Sequence, residues 1–397
     1  MNTPIINIAG LKSDTSRGDE QNVLGTLRAV CDLYKHHGIT VQSTLIDLAS
    51  LVELKTLVRT SQIHTILIGA GNQSLQPLIR IQSDLRLTKR IYTAWSSHQL
   101  CIGLKEAAKR LNSIALPRHI VTPQIRTLLQ KGSAKLVETI GVPHNMQPED
   151  LEKPYHQWKH LLLKAPIYTL AVLGGDAPTS TQRLRFYTPQ EATVLARLLI
   201  TDIKKRKSIL LATNGPRTSK YDPITGKPSF AHYEIHPKTG HPIDYQIDPV
   251  SRAFITTLAA GSLKDGVHFQ FFDFKFGKKS PYKALLGAVA RHPGSQAYLP
   301  GESTSMISEG YDCLPSGSVT IYDTTAMNHA HHAHVSSLCA AGYAHRLSLT
   351  NRGDLAFNHS NPLISCKPLQ SRSAAQIVAE SIFRDFAPST DALGAIS

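Results

Sequence analysis

The 397-residue chain predicts an α/β protein made of two parallel, doubly wound sheets. Short apolar runs alternate with stretches of helical periodicity across brief polar connections, the pattern of strands covered on both faces by crossover helices. This pattern runs once to about residue 150 and restarts near residue 167. The chain is also too long for one ordinary core, so two domains of under 200 residues each are expected.

In order, Ile5 to Ala9 reads as a first strand and Gly10 to Gly18 as a polar loop. A helix follows from Glu20 to His36, with Leu24, Leu27, Val30, Cys31 and Tyr34 on one face. Ile39 to Leu45 is a second strand, Leu48 to Arg59 a helix, and the run from Thr65 a buried strand that enters the Gly-rich turn Gly69-Ala-Gly71-Asn72. Ile91 to Ala94 and His119 to Thr122 are further strand candidates. Residues 147–164 form a helix that passes from polar to apolar between the halves. The second half then opens on the strand Ile167 to Leu173, which ends in Gly174-Gly175-Asp176. A helix over Pro189 to Lys207 and a strand over Ile209 to Thr213 follow. Residues 219–248 are rich in Pro, Gly, His and Tyr without a clear period, as in a long loop or hairpin. After them come a helix (Pro249 to Ala260) and strands at His268 to Phe272, Ser295 to Leu299 and Val319 to Tyr322. A helix runs through Gly342, and a last one covers Ser371 to Phe386. The expected domains are 1–150 and 167–370, with a connecting helix or linker over 151–166 and a terminal helix and tail over 371–397.

With 41% hydrophobic and 18% charged residues the composition is globular. No apolar run is long enough to span a membrane, and the first residues lack the pattern of a signal peptide, so a cytoplasmic protein is expected. The five cysteines lack metal-ligand spacing, and Cys31 and Cys339 read as buried thiols. The net charge of +14 favours anionic partners, and the excess is +8 over residues 1–164 and +6 beyond. No nucleic-acid-binding motif or aromatic-and-basic platform is recognisable in the sequence, so no specific nucleic acid is expected.

Residues 302–310, Glu-Ser-Thr-Ser-Met-Ile-Ser-Glu-Gly, cross from a strand into a helix start. Free N–H groups there, beside Ser303, Thr304 and Ser305, would cradle a phosphate or pyrophosphate, and Glu309 one turn on could hold ribose hydroxyls. The plainer alternative is a capped helix, with Ser305 as N-cap and Ser308 or Glu309 completing a capping box. Ligands of doubly wound sheets bind at the carboxyl ends of strands. Three such ends in the second half are polar and Gly-containing, at 174–176, 213–218 and 301–305, which favours the ligand reading.

Six segments in order resemble the mitochondrial-fission "elongated mitochondria" family. Its Asp-Ser-Val-Ser-Met-x-Ser-Glu-Ala is similar to Glu302 through Gly310, its Asn-Pro-Tyr to Ser280-Pro281-Tyr282, and its Gly-Gly loop to Gly174-Gly175. Its Thr-x-Ser-Arg-Arg-Thr compares with Thr213-Asn-Gly-Pro216-Arg217-Thr218. In the first half, its Asp-Gly-Arg-Ala-Gly-x-Glu-Asn-Gln-x-x-Gly compares with Asp14 through Gly25, and its Thr-x-Gly-Ala-x-His with Thr139 through His144. The resemblance spans about residues 5 to 325. It implies a GT-B-like architecture, two Rossmann-like domains facing across a cleft, and a metal-independent glycosyltransferase that uses a nucleoside-diphosphate sugar as substrate, with no cofactor.

On that basis the donor would meet Gly174, Gly175, Thr213, Arg217, Thr218, Tyr282, Ser303, Thr304, Ser305, Met306 and Glu309. Arg217, Ser303 and Ser305 would face the diphosphate, and Gly174 and Gly175 would allow close backbone approach. Asp14, Asp19 or Glu20, with Arg17, would serve acceptor deprotonation, and Gly18, Asn22, Gly71, Thr139 and His144 lie on the acceptor side. The alternative for the acidic group is a capping cluster for the helix near Glu20. The alternative function is a non-catalytic adaptor that recruits a partner to a membrane, supported by Pro216 where the motif has an arginine.

Lipid-linked acceptors are common among GT-B enzymes. An anionic membrane or a lipid-linked acceptor is therefore a further expected partner, met peripherally through Lys89, Arg90, Lys105, Lys109, Arg110 and Arg118, unless these form an ordinary solvated face. Gly69-Ala-Gly71 lacks the third glycine of a dinucleotide fingerprint, so NAD binding is not expected. His329, His331, His332 and His334 include pairs one helical turn apart but have no carboxylate or cysteine at useful spacing, and no metal is expected.

Overall fold

A computed structural model describes residues 5–12, 17–50, 64–83, 90–178, 183–244, 246–349 and 372–386. The chain divides into two compact units, residues 1–146 with 370–397 and residues 147–369.

The first unit is a six-stranded parallel sheet. Its strands are β1 (Ile5–Lys12), β2 (Thr40–Asp47), β3 (His64–Ala70), β4 (Ile91–Ser96), β5 (Ser113–Pro117) and β6 (Lys135–Thr139), in the order β2-β1-β3-β4-β5-β6. The order reverses between β1 and β3, where a doubly wound sheet opens a crevice at its carboxyl edge. β3, β4 and β5 are buried on nearly every residue, as strands covered on both faces must be. One face carries α1 (Arg17–His36); the other carries α2 (Gly71–Gln82), α3 (Leu104–Arg110) and α4 (Pro123–Gln130). The strand expected at His119 to Thr122 is instead a single 3-10 turn over Arg118–Ile120. The extended segment is Ser113–Pro117, whose five buried residues pair with β4 and β6. The helix expected over Leu48 to Arg59 lies mostly outside the described residues; only the 3-10 turn Leu48–Ser50 is seen.

The second unit holds β7 (Tyr168–Val172), β10 (Ile209–Thr213), β11 (Phe269–Phe272), β12 (Gln296–Pro300), β13 (Val319–Tyr322) and β14 (His345–Leu347), with a short antiparallel ribbon of β8 (Ala177–Pro178) and β9 (Leu184–Arg185). Its main sheet runs β11-β10-β7-β12-β13-β14. Counted within the unit this is strand order 3-2-1-4-5-6, and the reversal falls between β7 and β12. The segment expected to link the halves belongs to this unit: a 3-10 turn Pro148–Leu151 leads into α5 (Glu152–Trp158). It packs on α8 (Tyr282–Arg291) so closely that a Cβ on Gly287 would lie 2.8 Å from the Leu151 carbonyl and from Tyr155. The remaining helices are α6 (Pro189–Arg206), α7 (Pro249–Asp265), α9 (Thr304–Cys313) and α10 (His329–Ala340).

The last described helix, α11 (Ala374–Phe386), joins the first unit. Phe383 packs edge-on to Tyr34 and stacks on His37. The Tyr92 hydroxyl donates to Asp385 (3.1 Å), which also pairs with Lys135 (2.7 Å).

Residues 219–248 contain two copies of one turn. Asp222-Pro-Ile-Thr-Gly-Lys-Pro228 and His236-Pro-Lys-Thr-Gly-His-Pro242 each close with a single bridge, Tyr221 to Pro228 and Ile235 to Pro242. In both, the first polar side chain accepts the N–H three residues on, by Asp222 from Thr225 (2.7 Å) and by His236 from Thr239 (3.3 Å). The glycines at 226 and 240 take left-handed φ of 66° and 69° that a side chain would resist. Among the described residues no helix is long and apolar enough to cross a membrane.

Candidate functional site

At the reversal of the second sheet, the ends of β7, β10, β12 and β13 are tied together by buried polar groups. Glu302, 2% exposed, follows β12. Its carboxylate accepts the Gly175 N–H (2.7 Å) and the Thr324 hydroxyl (2.7 Å), joining three strand ends. Burial pushes its pKa up, opposed first by the Arg217 charge and then by those hydrogen bonds. Asp176 is raised by burial in the same way; it accepts the Tyr221 N–H (2.9 Å), which anchors the start of the tandem turns.

The predicted donor residues at these ends differ in what they have left to offer. Thr213 donates its hydroxyl to the Phe272 carbonyl (2.7 Å), inside the sheet. Thr218 donates to the Gly174 carbonyl (2.9 Å) and accepts the Gly215 N–H (3.0 Å). Both threonines are spent on loop architecture. Gly174 and Gly175 are demanded by the protein itself, since a Cβ at 174 would lie 3.0 Å from Glu302 and one at 175 only 2.6 Å from the Arg217 Cβ. The Arg217 backbone is held by the Asp176 N–H (2.8 Å). Among the described residues its guanidinium makes no hydrogen bond or ion pair at contact distance.

α9 begins beside this cluster. Its N-cap is Ser303, not Ser305, and the Ser303 side chain makes no capping bond. The alternative capping box does not form, because Ser308 donates to the Thr304 carbonyl (2.9 Å) and Glu309 lies against the buried hydroxyl of Tyr282. Burial, then the Glu309 charge, holds that hydroxyl well above the ordinary tyrosine range. The N–H groups of Thr304, Ser305 and Met306 thus have no partner within the helix and no side-chain cap from Ser303. The Met306 methyl comes within 3.9 Å of where a Cβ on Gly215 would be, so the Arg217 loop and the start of α9 are neighbours.

In the first unit Asp14 lies outside the described residues, Arg17 opens α1, and Gly18 stands in open space. Asp19 packs on Gly71, where a Cβ would fall 2.2 Å from its carboxylate. Gly71 in turn receives the Trp95 indole N–H on its carbonyl (2.8 Å). Asn22 accepts the Ser96 hydroxyl (2.8 Å), while Glu20 is half-buried on the same turn of α1. Asp19, Asn22 and Gly71 are therefore gathered at the ends of β3 and β4. Thr139 donates to the Gly141 carbonyl (2.8 Å) and His144 accepts the Met146 N–H (3.2 Å), so both shape the loop after β6. The His144 carbonyl leaves no room for a Cβ on Gly25 of α1.

The sequence reading missed Ser96 on the first side, and Asn214 and Thr324 on the second. Each stands at or just beyond a strand end, which was the available signal. In the histidine cluster, His331 caps α10 with Asn328, and His332 sits 3.2 Å from Arg346, itself paired with Asp323. Among the described residues no group of three or more potential ligands is placed to hold a metal ion.

No family model and no curated protein matches the chain. Among solved structures, it is similar to the UDP-GlcNAc 2-epimerase of Methanocaldococcus jannaschii, at 10% identity and a TM-score of 0.53 over 96% of this chain and 99% of that one. It is also similar to MurG of Acinetobacter baumannii (8% identity, TM-score 0.41, 98% of each chain). A third likeness is to a glycosyl transferase family 9 protein of Veillonella parvula (10%, 0.35, 97% and 99%). The first likeness shows the fold: two Rossmann-like domains of the GT-B kind, the fold of glycosyltransferases and epimerases.

Proposed function

We propose that the protein is a metal-independent glycosyltransferase, related to the "elongated mitochondria" family, that takes a nucleoside-diphosphate sugar at the carboxyl edge of its second sheet. The observation that carries this reading is the Arg217 guanidinium, which makes no hydrogen bond or ion pair at contact distance among the described residues, on a loop adjoining the uncapped start of α9 at the sheet's topological switch point. Both present positive charge of the kind that binds a diphosphate and stabilises it as it departs. In this reading Arg217, Ser303, Ser305 and the first N–H groups of α9 hold the diphosphate. Glu309, beside Tyr282, meets the ribose.

Thermal-shift measurements with UDP-, GDP-, ADP- and CMP-sugars test it. A donor at about 100 times its Kd adds about 2.7 kcal/mol of stability, and Arg217→Ala removes that shift. No stabilisation by any of the four nucleotides rejects the donor site.

A second reading, attachment to a membrane as an adaptor or to reach a lipid-linked acceptor, is favoured by one surface of the first unit. On the loop after β4, Leu100 is 51% and Ile102 is 90% exposed, beside the exposed Lys105 and Lys109. An apolar tip with a basic flank suits the interface of an anionic bilayer. Co-sedimentation with vesicles checks it: binding to anionic vesicles that weakens with salt and with Ile102→Ser is expected, and equal binding to neutral vesicles rejects it.

A further inference from the structure

The tandem turns carry a continuous string of aromatic rings. His236 lies 4.3 Å from Phe230, Phe230 6.0 Å from Tyr233, and Tyr233 stacks on Phe276 at 4.3 Å and 17°. Phe276 meets Phe274 at 5.1 Å, and Phe274 meets His232 at 6.0 Å. The string ends where the His232 Nε2 contacts the Thr218 carbonyl (2.6 Å), one residue from Arg217. It thus leads along the second unit to the loop assigned to the diphosphate.

Two features set the string apart from a simple internal core. All its rings except His232 stay half-exposed. Phe230 also holds a left-handed φ of 57°, a conformation costly for a bulky side chain, while its ring packs on His236. The flanks are basic: residues 219–247 and 274–280 carry six lysines against three carboxylates. One of those carboxylates, Glu234, is engaged by Lys275 and Lys278. The ammonium groups of Lys227 and Lys238, exposed on the two turns, make no hydrogen bond or ion pair among the described residues.

We infer that this aromatic and basic track binds an anionic oligosaccharide, the acceptor chain, and leads its end toward the donor loop. Aromatic faces take the apolar C–H faces of pyranose rings, and lysines at the margins take carboxylate or sulfate groups. The choice of a sugar over a nucleobase rests on the proposed glycosyltransferase reading, because both ligand classes use rings and cations.

Titration calorimetry of the full chain tests the inference with three probes of equal length: oligogalacturonate, neutral maltooctaose and the deoxyoligonucleotide dT8. Oligogalacturonate should bind at least tenfold more tightly than maltooctaose and more tightly than dT8. Phe276→Ala should lose tenfold or more. The double variant Lys227→Glu, Lys238→Glu, which leaves the rings in place, should weaken binding and flatten its salt dependence. Equal affinity for the charged and neutral saccharides, unchanged binding by the lysine variant, or no binding to the wild type overturns the inference. Tighter binding of dT8 overturns it too and makes the track a single-strand nucleic-acid surface. Arg217→Ala separates the two proposals: it should abolish the nucleotide shift and keep oligogalacturonate binding. A wild type that binds the saccharide but no nucleotide refutes the donor site alone.

Discussion

Gly175 and Gly215 stand on adjoining loops, yet only the first should resist alanine. At 175 the added methyl would meet the Arg217 Cβ at 2.6 Å and its backbone at 2.8 and 2.9 Å; at 215 its nearest neighbour is the flexible Met306 methyl at 3.9 Å. Gly175→Ala should cost about 1–3 kcal/mol in urea unfolding, and Gly215→Ala close to nothing. Glu302 gives a pH signature. Its folded pKa is raised above its unfolded value, so its contribution is complete below about pH 4.5 and lost as pH rises through the folded value. Glu302→Gln should cost about 1 kcal/mol at pH 4 through the weakened Thr324 contact. It should regain ground relative to wild type as pH rises, read as the difference between the two unfolding profiles; a constant difference would refute the assignment. Sequence alone marked Glu302 as the head of a ligand loop. Its role as a clasp was invisible because its partners Gly175 and Thr324 come from separate strand ends, and no local periodicity encodes that meeting.

Among the elements, the tandem turns have a third relative. Ile247-Asp248-Pro249-Val250-Ser251 repeats the start of each turn, and Asp248 accepts the Ser251 N–H (2.9 Å) as Asp222 accepts that of Thr225. The next residue separates the outcomes. Glycine at 226 and 240 takes a left-handed φ and closes a hairpin, whereas Arg252 keeps a helical φ and the chain continues as α7. Gly240→Ala should therefore loosen only its own turn, by about 1 kcal/mol, seen as faster amide exchange at Gly240 and His241 with an unchanged Tm. Asp248→Ala removes the buried N-cap of α7 and should lower global stability by about 1 kcal/mol. Periodicity located most strands and helices, since alternating apolar and amphipathic runs follow burial directly. It failed over 219–248, where each hairpin holds one bridge and no strand long enough to show a period. It also displaced β5, because Ser113 and Ala115 are small and buried and look less strand-like than the Ile120-Val121 pair that follows.

For the whole molecule, the two parallel sheets follow from the strand and helix alternation, whereas their strand order and the membership of the last helix do not. α11 is amphipathic like many surface helices, and only its packing on Tyr34, His37 and Tyr92 assigns it to the first unit. Removing residues 373–397 should destabilise that unit and leave the second intact. Limited proteolysis should then cut within residues 17–146 and spare 147–349; equal protection of both units would contradict the assignment. The same arrangement sets an order on biosynthesis. The second unit is one unbroken stretch of chain, so it can fold as soon as it leaves the ribosome. The first unit is translated earlier but must wait, its Tyr34 and Val30 face uncovered, until the whole of the second has been made and α11 arrives. During that interval the nascent chain displays an apolar surface that a holding chaperone would recognise, and the unit begun first is completed last.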